Sequence, residues 1–215
     1  MKTEILFFNG WAMDNHAISH LADPHYHVHI YSPHETEIRE PETDYILVAW
    51  SMGVWAANRY LRSCQHAPKL NIAINGTPFG IHPEYGIDPI LFQKTYEHLT
   101  PEGMKKIYHR IFYTAEQKDY HDLLPSLSFE TQKNSLAYLL KQADSTDNSI
   151  TQDLLSHPQA WDYAWVSEKD SMFATKQQLN YWHRCPSTQT NVINAAHHLL
   201  RSFSSWSAFI EEHQA

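Results

Sequence analysis

The sequence predicts an α/β protein built on a mainly parallel central sheet of about six or seven strands. Three observations carry this. Short apolar runs of strand length recur along the chain, separated by helical patterns or long connections. One of them, Tyr45-Ile46-Leu47-Val48-Ala49-Trp50, ends in Ser51-Met52-Gly53 and passes straight into small and apolar residues at helical spacing. Strand patterns then return after a long helical middle, at 163–166 and 190–193. Strands joined by helices or long connections pair in parallel through right-handed crossovers.

The elements follow in order. Residues 4–8 read as the first strand, with Asn9-Gly10-Trp11 as the turn after it. Residues 14–22 form a short helix, with Asp14 near its start. Residues 25–31 read as a second strand, in which His25, His27 and His29 share one face. That face is read as solvent-exposed and not as a metal site. The stretch 32–44 is polar, holds two prolines and has no apolar period, so it is a loop. The strand ending at Trp50 leads into a helix over 52–63, and 70–75 is another short buried strand closed by Gly76-Thr77-Pro78. From about 86 to 160 apolar residues recur at helical spacing and no strand is evident. We read residues 1–85 and 161–215 as the core domain and 86–160 as an inserted helical lid. A terminal helix covers about 204–212. Several connections are loops where such a sheet normally carries helices.

Composition narrows the class. The chain has 215 residues, ordinary hydrophobic content of 42%, and no apolar run of membrane-spanning length. The N-terminal apolar stretch is too short for a signal peptide. Two distant cysteines, Cys64 and Cys185, fit a reduced cytoplasmic protein. A net charge of −8 argues against a nucleic-acid surface. The 16 histidines form no metal-binding spacing, and neither metal nor cofactor is expected.

The segment around Ser51 carries the chemistry. A strand, a sharp turn at a serine and a helix start together make a nucleophile elbow, which lifts one hydroxyl above the sheet. The usual pattern is Gly-x-Ser-x-Gly; here Ala49 takes the first glycine position and Gly53 keeps the second. The competing reading is a serine that caps the helix. In a parallel sheet, functional side chains gather beyond the carboxyl ends of the strands. Asp170 follows the 163–166 strand and His197 follows the 190–193 strand, so the chain order is Ser, Asp, His. His197 would act as base and Asp170 would orient it. His198 is an alternative base and Glu168 an alternative acid. The backbone N–H groups of Trp11 and Met52 are the candidate oxyanion donors.

These residues resemble a known family. Phe8-Asn9-Gly10-Trp11-Ala12-Met13-Asp14, Ala49-Trp50-Ser51-Met52-Gly53, Glu168-Lys169-Asp170 and Ala195-Ala196-His197 together are similar to the pimeloyl-ACP methyl ester esterases, most of all the BioG type. The BioH type is more distant and has His-Gly-Trp in place of Asn9-Gly10-Trp11. The resemblance implies an α/β-hydrolase fold and cleavage of the methyl ester of pimeloyl-ACP to pimeloyl-ACP and methanol in biotin synthesis. It implies a Ser51–Asp170–His197 triad, an oxyanion hole of Trp11 and Met52, and a lid over an apolar groove. Phe92, Tyr96, Ile107, Ile111 and Phe112 are the expected lining. The partner implied is an acyl carrier protein, and a monomer is expected. Because that carrier and this chain are both acidic, the encounter needs a local basic patch, for which Lys105, Lys106, Arg110 and Lys118 are candidates. Other readings of the same motifs are a different carboxylesterase, an acyl thioesterase, a non-hydrolytic lyase, or a binding module with a dead site.

Overall fold

The protein is described by a computed structural model covering residues 2–113, 119–144 and 148–212. Lys118 lies outside the described residues. Six strands form one sheet: β1 (Thr3–Phe8), β2 (Tyr26–Tyr31), β3 (Tyr45–Trp50), β4 (Leu70–Ile74), β5 (Tyr163–Ser167) and β6 (Gln189–Ile193). Their order is β2-β1-β3-β4-β5-β6, and every pairing is parallel. The chain leaves β1 toward one edge and returns to β3 on the other side of β1. That reversal makes the β1/β3 boundary the switch point, where a crevice opens beyond the strand ends.

Both faces of the sheet are buried, which is why the inner strands are continuous apolar runs and not alternating ones. Ile5, Phe7, Ile46, Val48, Ile72 and Ile74 face one core. Leu6, Phe8, Leu47, Ala49, Ala73, Ala164 and Val166 face the other. Ala49, Ala73 and Ala164 stand side by side across β3, β4 and β5. This row of small side chains keeps the surface low on the face that α1 (Met52–Leu61) and α6 (Thr175–Trp182) contribute to through Ala57, Tyr60, Tyr181 and Trp182.

Among the described residues four α-helices and a short 3-10 helix, His121–Leu123, lie between β4 and β5; the α-helices are α2 (Pro89–Glu97), α3 (Pro101–Phe112), α4 (Phe129–Asp144) and α5 (Asn148–Ser156). α2 and α3 each begin with proline in the first turn and a side-chain cap, from Asp88 and Thr100. The final helix is α7 (Trp206–Glu211). The short helix expected near 14–22 is a 3-10 helix, Asn15–Leu21, capped by the Asp14 carboxylate on the His16 N–H. One expectation is corrected. The sequence reading had no helix at α6. The loop 32–44 carries no helix, so the β2–β3 crossover is bare chain.

Candidate active site

Ser51 sits where β3 meets α1, with φ 59° and ψ −127°. A non-glycine residue in this left-handed region is strained, and such strain clusters at functional sites. The turn is held from several sides. The Ser51 N–H donates to the Ile74 carbonyl at 2.8 Å. A Cβ on Gly53 would stand 2.0 Å from the Phe8 carbonyl oxygen, so α1 approaches β1 as closely as it does only because that position is glycine. Ala49, at the other small position of the motif, lies in the ladder between Phe8 of β1 and Ala73 of β4. Although Ser51 occupies the N-cap position of α1, its hydroxyl makes no capping bond.

That hydroxyl is turned to a histidine instead. Ser51 Oγ lies 2.9 Å from His197 Nε2, and His197 Nδ1 lies 2.8 Å from Asp170 Oδ2. An ionised carboxylate only accepts, so Nδ1 carries the proton and Nε2 is free to accept from the serine. Asp170 is buried and fully engaged. Its Oδ1 accepts from the Met172 and Phe173 N–H groups, both at 2.8 Å, and its Oδ2 also accepts from Gln178 Nε2 at 3.0 Å. Three donors besides the imidazole fix the carboxylate in place. Such a chain can move a proton from a hydroxyl to an imidazole while a fixed negative charge stabilises the imidazolium.

The alternatives at each position lie elsewhere. Glu168 is exposed and points to solvent. His198 is buried next to Trp50 and Phe112, with ring centroids 4.6 and 5.0 Å away. Burial, reinforced by the charges of His20, His197 and Arg201, pushes its pKa well below the ordinary 6.5.

The turn after β1 reaches the same crevice. Gly10, Trp11 and Met52 line a cavity of about 90 Å³ over Ser51 and His197. Phe92, Ile107 and Ile111 line it as well, together with Leu136 and Met172, which the sequence did not single out. Tyr96 and Phe112 are not among the lining residues. Tyr96 lies under the Lys133 ammonium, and Phe112 packs on Tyr120 and His198. The resemblance implied both as lining, without showing which neighbour each would meet. Lys105 and Lys106 are exposed on α3. Arg110 does more than add charge: it lines the cavity and donates to the Ser171 carbonyl, next to Asp170. Among the described residues no group of three or more His, Cys, Asp or Glu is arranged to hold a metal, and no helix is long and apolar enough to cross a membrane.

A parallel sheet of this order, with a strained serine beside the switch point and a histidine within hydrogen-bonding distance, defines an α/β-hydrolase of the carboxylesterase type. Solved structures agree on the fold: an esterase from Exiguobacterium antarcticum aligns with a TM-score of 0.68 over 99% of this chain and 92% of its own, at 15% identity. The family is narrower. Residues 2–209 match the family described as pimeloyl-ACP methyl esterase BioG, and the chain belongs to that family. The crystal structure of BioG from Haemophilus influenzae aligns with a TM-score of 0.82 at 28% identity, covering 96% of this chain and 94% of that one. A second relative, the malonyl-[acyl-carrier protein] O-methyltransferase of Bacteroides fragilis, is 30% identical over 190 residues. That match covers 85% of this chain but 37% of the longer protein.

Proposed function

We propose that this protein is a cytoplasmic serine esterase that hydrolyses the methyl ester of pimeloyl-ACP, giving pimeloyl-ACP and methanol in biotin synthesis. The observation that carries the proposal is the hydrogen-bonded chain Ser51–His197–Asp170 at the switch point of a BioG-family fold. In this reading His197 Nε2 takes the Ser51 proton as Oγ attacks the ester carbonyl. The imidazolium then protonates the departing methoxide, which leaves as methanol. Water, deprotonated by the same nitrogen, cleaves the acyl-enzyme and releases the free carboxylate. The N–H groups of Trp11 and Met52 stabilise the tetrahedral oxyanion. The Asp170 carboxylate holds the imidazole tautomer and stabilises the imidazolium.

Two features support the substrate. The cavity of about 90 Å³ is well below the ~300 Å³ of a pocket that engulfs a whole ligand. It suits the ester end of a chain whose remainder runs out past the exposed Leu91 and Arg110 to a carrier outside. The carrier would meet Lys105, Lys106 and Arg110 on the lid, residues 86–160. The methyltransferase relative supports the chemistry from the other side: its name describes methylation of an ACP-bound acid, and a hydrolase-like segment within the same polypeptide fits later removal of such a methyl. The test is genetic. The gene should restore biotin-free growth to a strain lacking its pimeloyl-ester-cleaving enzyme, and Ser51→Ala should abolish the rescue. Growth restored equally by Ser51→Ala would defeat the proposal.

A further inference from the structure

The imidazole of His197 is well oriented, yet its main chain is poorly supported by its own strand. β6 is an edge strand paired only with β5, and Val192 and Asn194 beside the site are exposed. A base carried on such a strand needs other anchors, because catalytic geometry tolerates little drift.

Two buried side chains converge on one atom, the carbonyl oxygen of His197. Trp50 Nε1 donates to it at 2.9 Å, and Asn75 Nδ2 donates to it at 2.7 Å. Trp50 is the last residue of β3, directly before Ser51. Asn75 follows β4, the strand between the serine strand and the acid strand. Asn75 adopts φ 47°, a left-handed conformation that asparagine tolerates better than most residues. The same side chain closes a second pair of bonds to β5. Its Oδ1 accepts from the Ser167 N–H at 2.7 Å and its Nδ2 donates to Ser167 Oγ at 2.8 Å. Ser167 stands three residues before Asp170. The His197 carbonyl is therefore tied to the nucleophile strand through Trp50 and to the acid strand through Asn75, with every group in the network buried.

The geometry points to Trp50 and Asn75 as positioning residues that hold the catalytic base in register with both Ser51 and Asp170. This rests on reading His197 as the base but not on any particular ester. It explains why a turn after β4 that does not line the cavity is built on a left-handed asparagine whose amide is entirely used.

The experiment compares Trp50→Phe, which removes the indole N–H but keeps a ring, with Asn75→Gly, which keeps the left-handed backbone and removes the amide. The primary readout is the second-order rate of Ser51 labelling by a small fluorophosphonate, counted per folded molecule by circular dichroism. This reports activation of the serine whether or not pimeloyl-ACP is the substrate. Turnover of a small methyl ester, per titratable site, is measured alongside, and the Nδ1 proton of His197 is followed by NMR. The expected result is a loss of about tenfold or more in labelling rate in each variant. Turnover per site should fall in parallel with KM little changed, and the Nδ1 proton signal should broaden or shift. Labelling rates within twofold of the parent in both variants would overturn the proposal, as would a loss confined to KM or to thermal stability. Should Asn75→Gly fail to fold, Trp50→Phe alone decides by the same criteria. A failure of the functional reading is distinguishable, because the parent would then label at Ser51 but leave pimeloyl-ACP methyl ester intact.

Discussion

Trp11 Nε1 donates a 3.0 Å hydrogen bond to the carbonyl of Gln132, joining the turn after β1 to α4 across 121 residues of sequence. The same turn is tied a second time, where Asp14 Oδ2 accepts from the N–H and hydroxyl of Ser126 at 2.7 and 2.9 Å. On the opposite side, Arg110 donates to the Ser171 carbonyl and the His198 N–H donates to the Ile111 carbonyl at 3.1 Å. The helices between β4 and β5 thus touch all three loops that converge on Ser51. Trp11→Phe keeps an aromatic ring but removes this donor, leaving the Gln132 carbonyl with the bond it accepts from the Ser135 hydroxyl at 2.8 Å. Stability should fall by about 0.5–1.5 kcal/mol, the usual net worth of one hydrogen bond. Urea denaturation checks this, and an unchanged midpoint would show that the tie contributes nothing.

The exposed basic residues of α3 should act on the carrier and not on the chemistry. Lys105→Glu with Lys106→Glu reverses two exposed charges that are not among the cavity-lining residues. KM for the ACP-bound ester should rise several-fold, more at low than at high salt, while kcat for a small soluble ester stays unchanged. Equal effects on both substrates, or none on either, would remove α3 from the carrier's path.

Gly53→Ala should be the most disruptive single change near the site. The added Cβ would meet the Phe8 carbonyl oxygen at 2.0 Å and the Asn9 carbonyl oxygen at 2.6 Å, both backbone atoms that cannot rotate away. A loss of about 3 kcal/mol or more is expected, beyond ordinary surface substitutions and in the range of severe overpacking. Ala49→Gly, at the other glycine position of the elbow motif, should be mild by comparison. Thermal melts of the two variants give the comparison directly.

Stability should depend on pH through His198. Its buried ring is surrounded by His20, His197, Arg201 and the rings of Trp50 and Phe112, and a backbone bond to Ala17 does not offset the cost of charging it there. Burial also lowers the pKa of His20. Both folded values lie below the unfolded value of about 6.5, so at acidic pH the unfolded chain binds more protons than the folded one. The stabilisation is complete above pH ~6.5 and is lost as pH falls from there toward the folded values. His198→Leu should flatten the decline of Tm between about pH 6.5 and 5. An unchanged slope would assign the acid sensitivity to other groups.

Much of this architecture was legible because it is local. The continuous apolar run 45–50 could only be a strand buried on both faces, and the abrupt change at Ser51-Met52-Gly53 marked the elbow. The helix α6 was not legible. Its buried residues are Gln178, Tyr181 and Trp182, so the inward face begins with a polar side chain and shows no clean apolar period. Gln178 faces inward because it donates to Asp170, a contact that sequence spacing cannot reveal. Asn75 was equally silent: it read as the last residue of the strand 70–75, whereas β4 ends at Ile74 and the left-handed Asn75 uses its amide to join β5 and the base loop. The choice between His197 and His198 also needed three dimensions, since adjacent residues point to different sides. The lining of the cavity was half readable, because helical period identifies an inner face but not the neighbour each side chain meets.

The most direct test is to give the purified protein the methyl ester of pimeloyl-ACP and follow methanol and the intact acyl-ACP together. The account predicts one methanol per ester cleaved, with the thioester to the carrier preserved and Ser51→Ala inert. Release of free acid from the carrier, or turnover undiminished in Ser51→Ala, would contradict it.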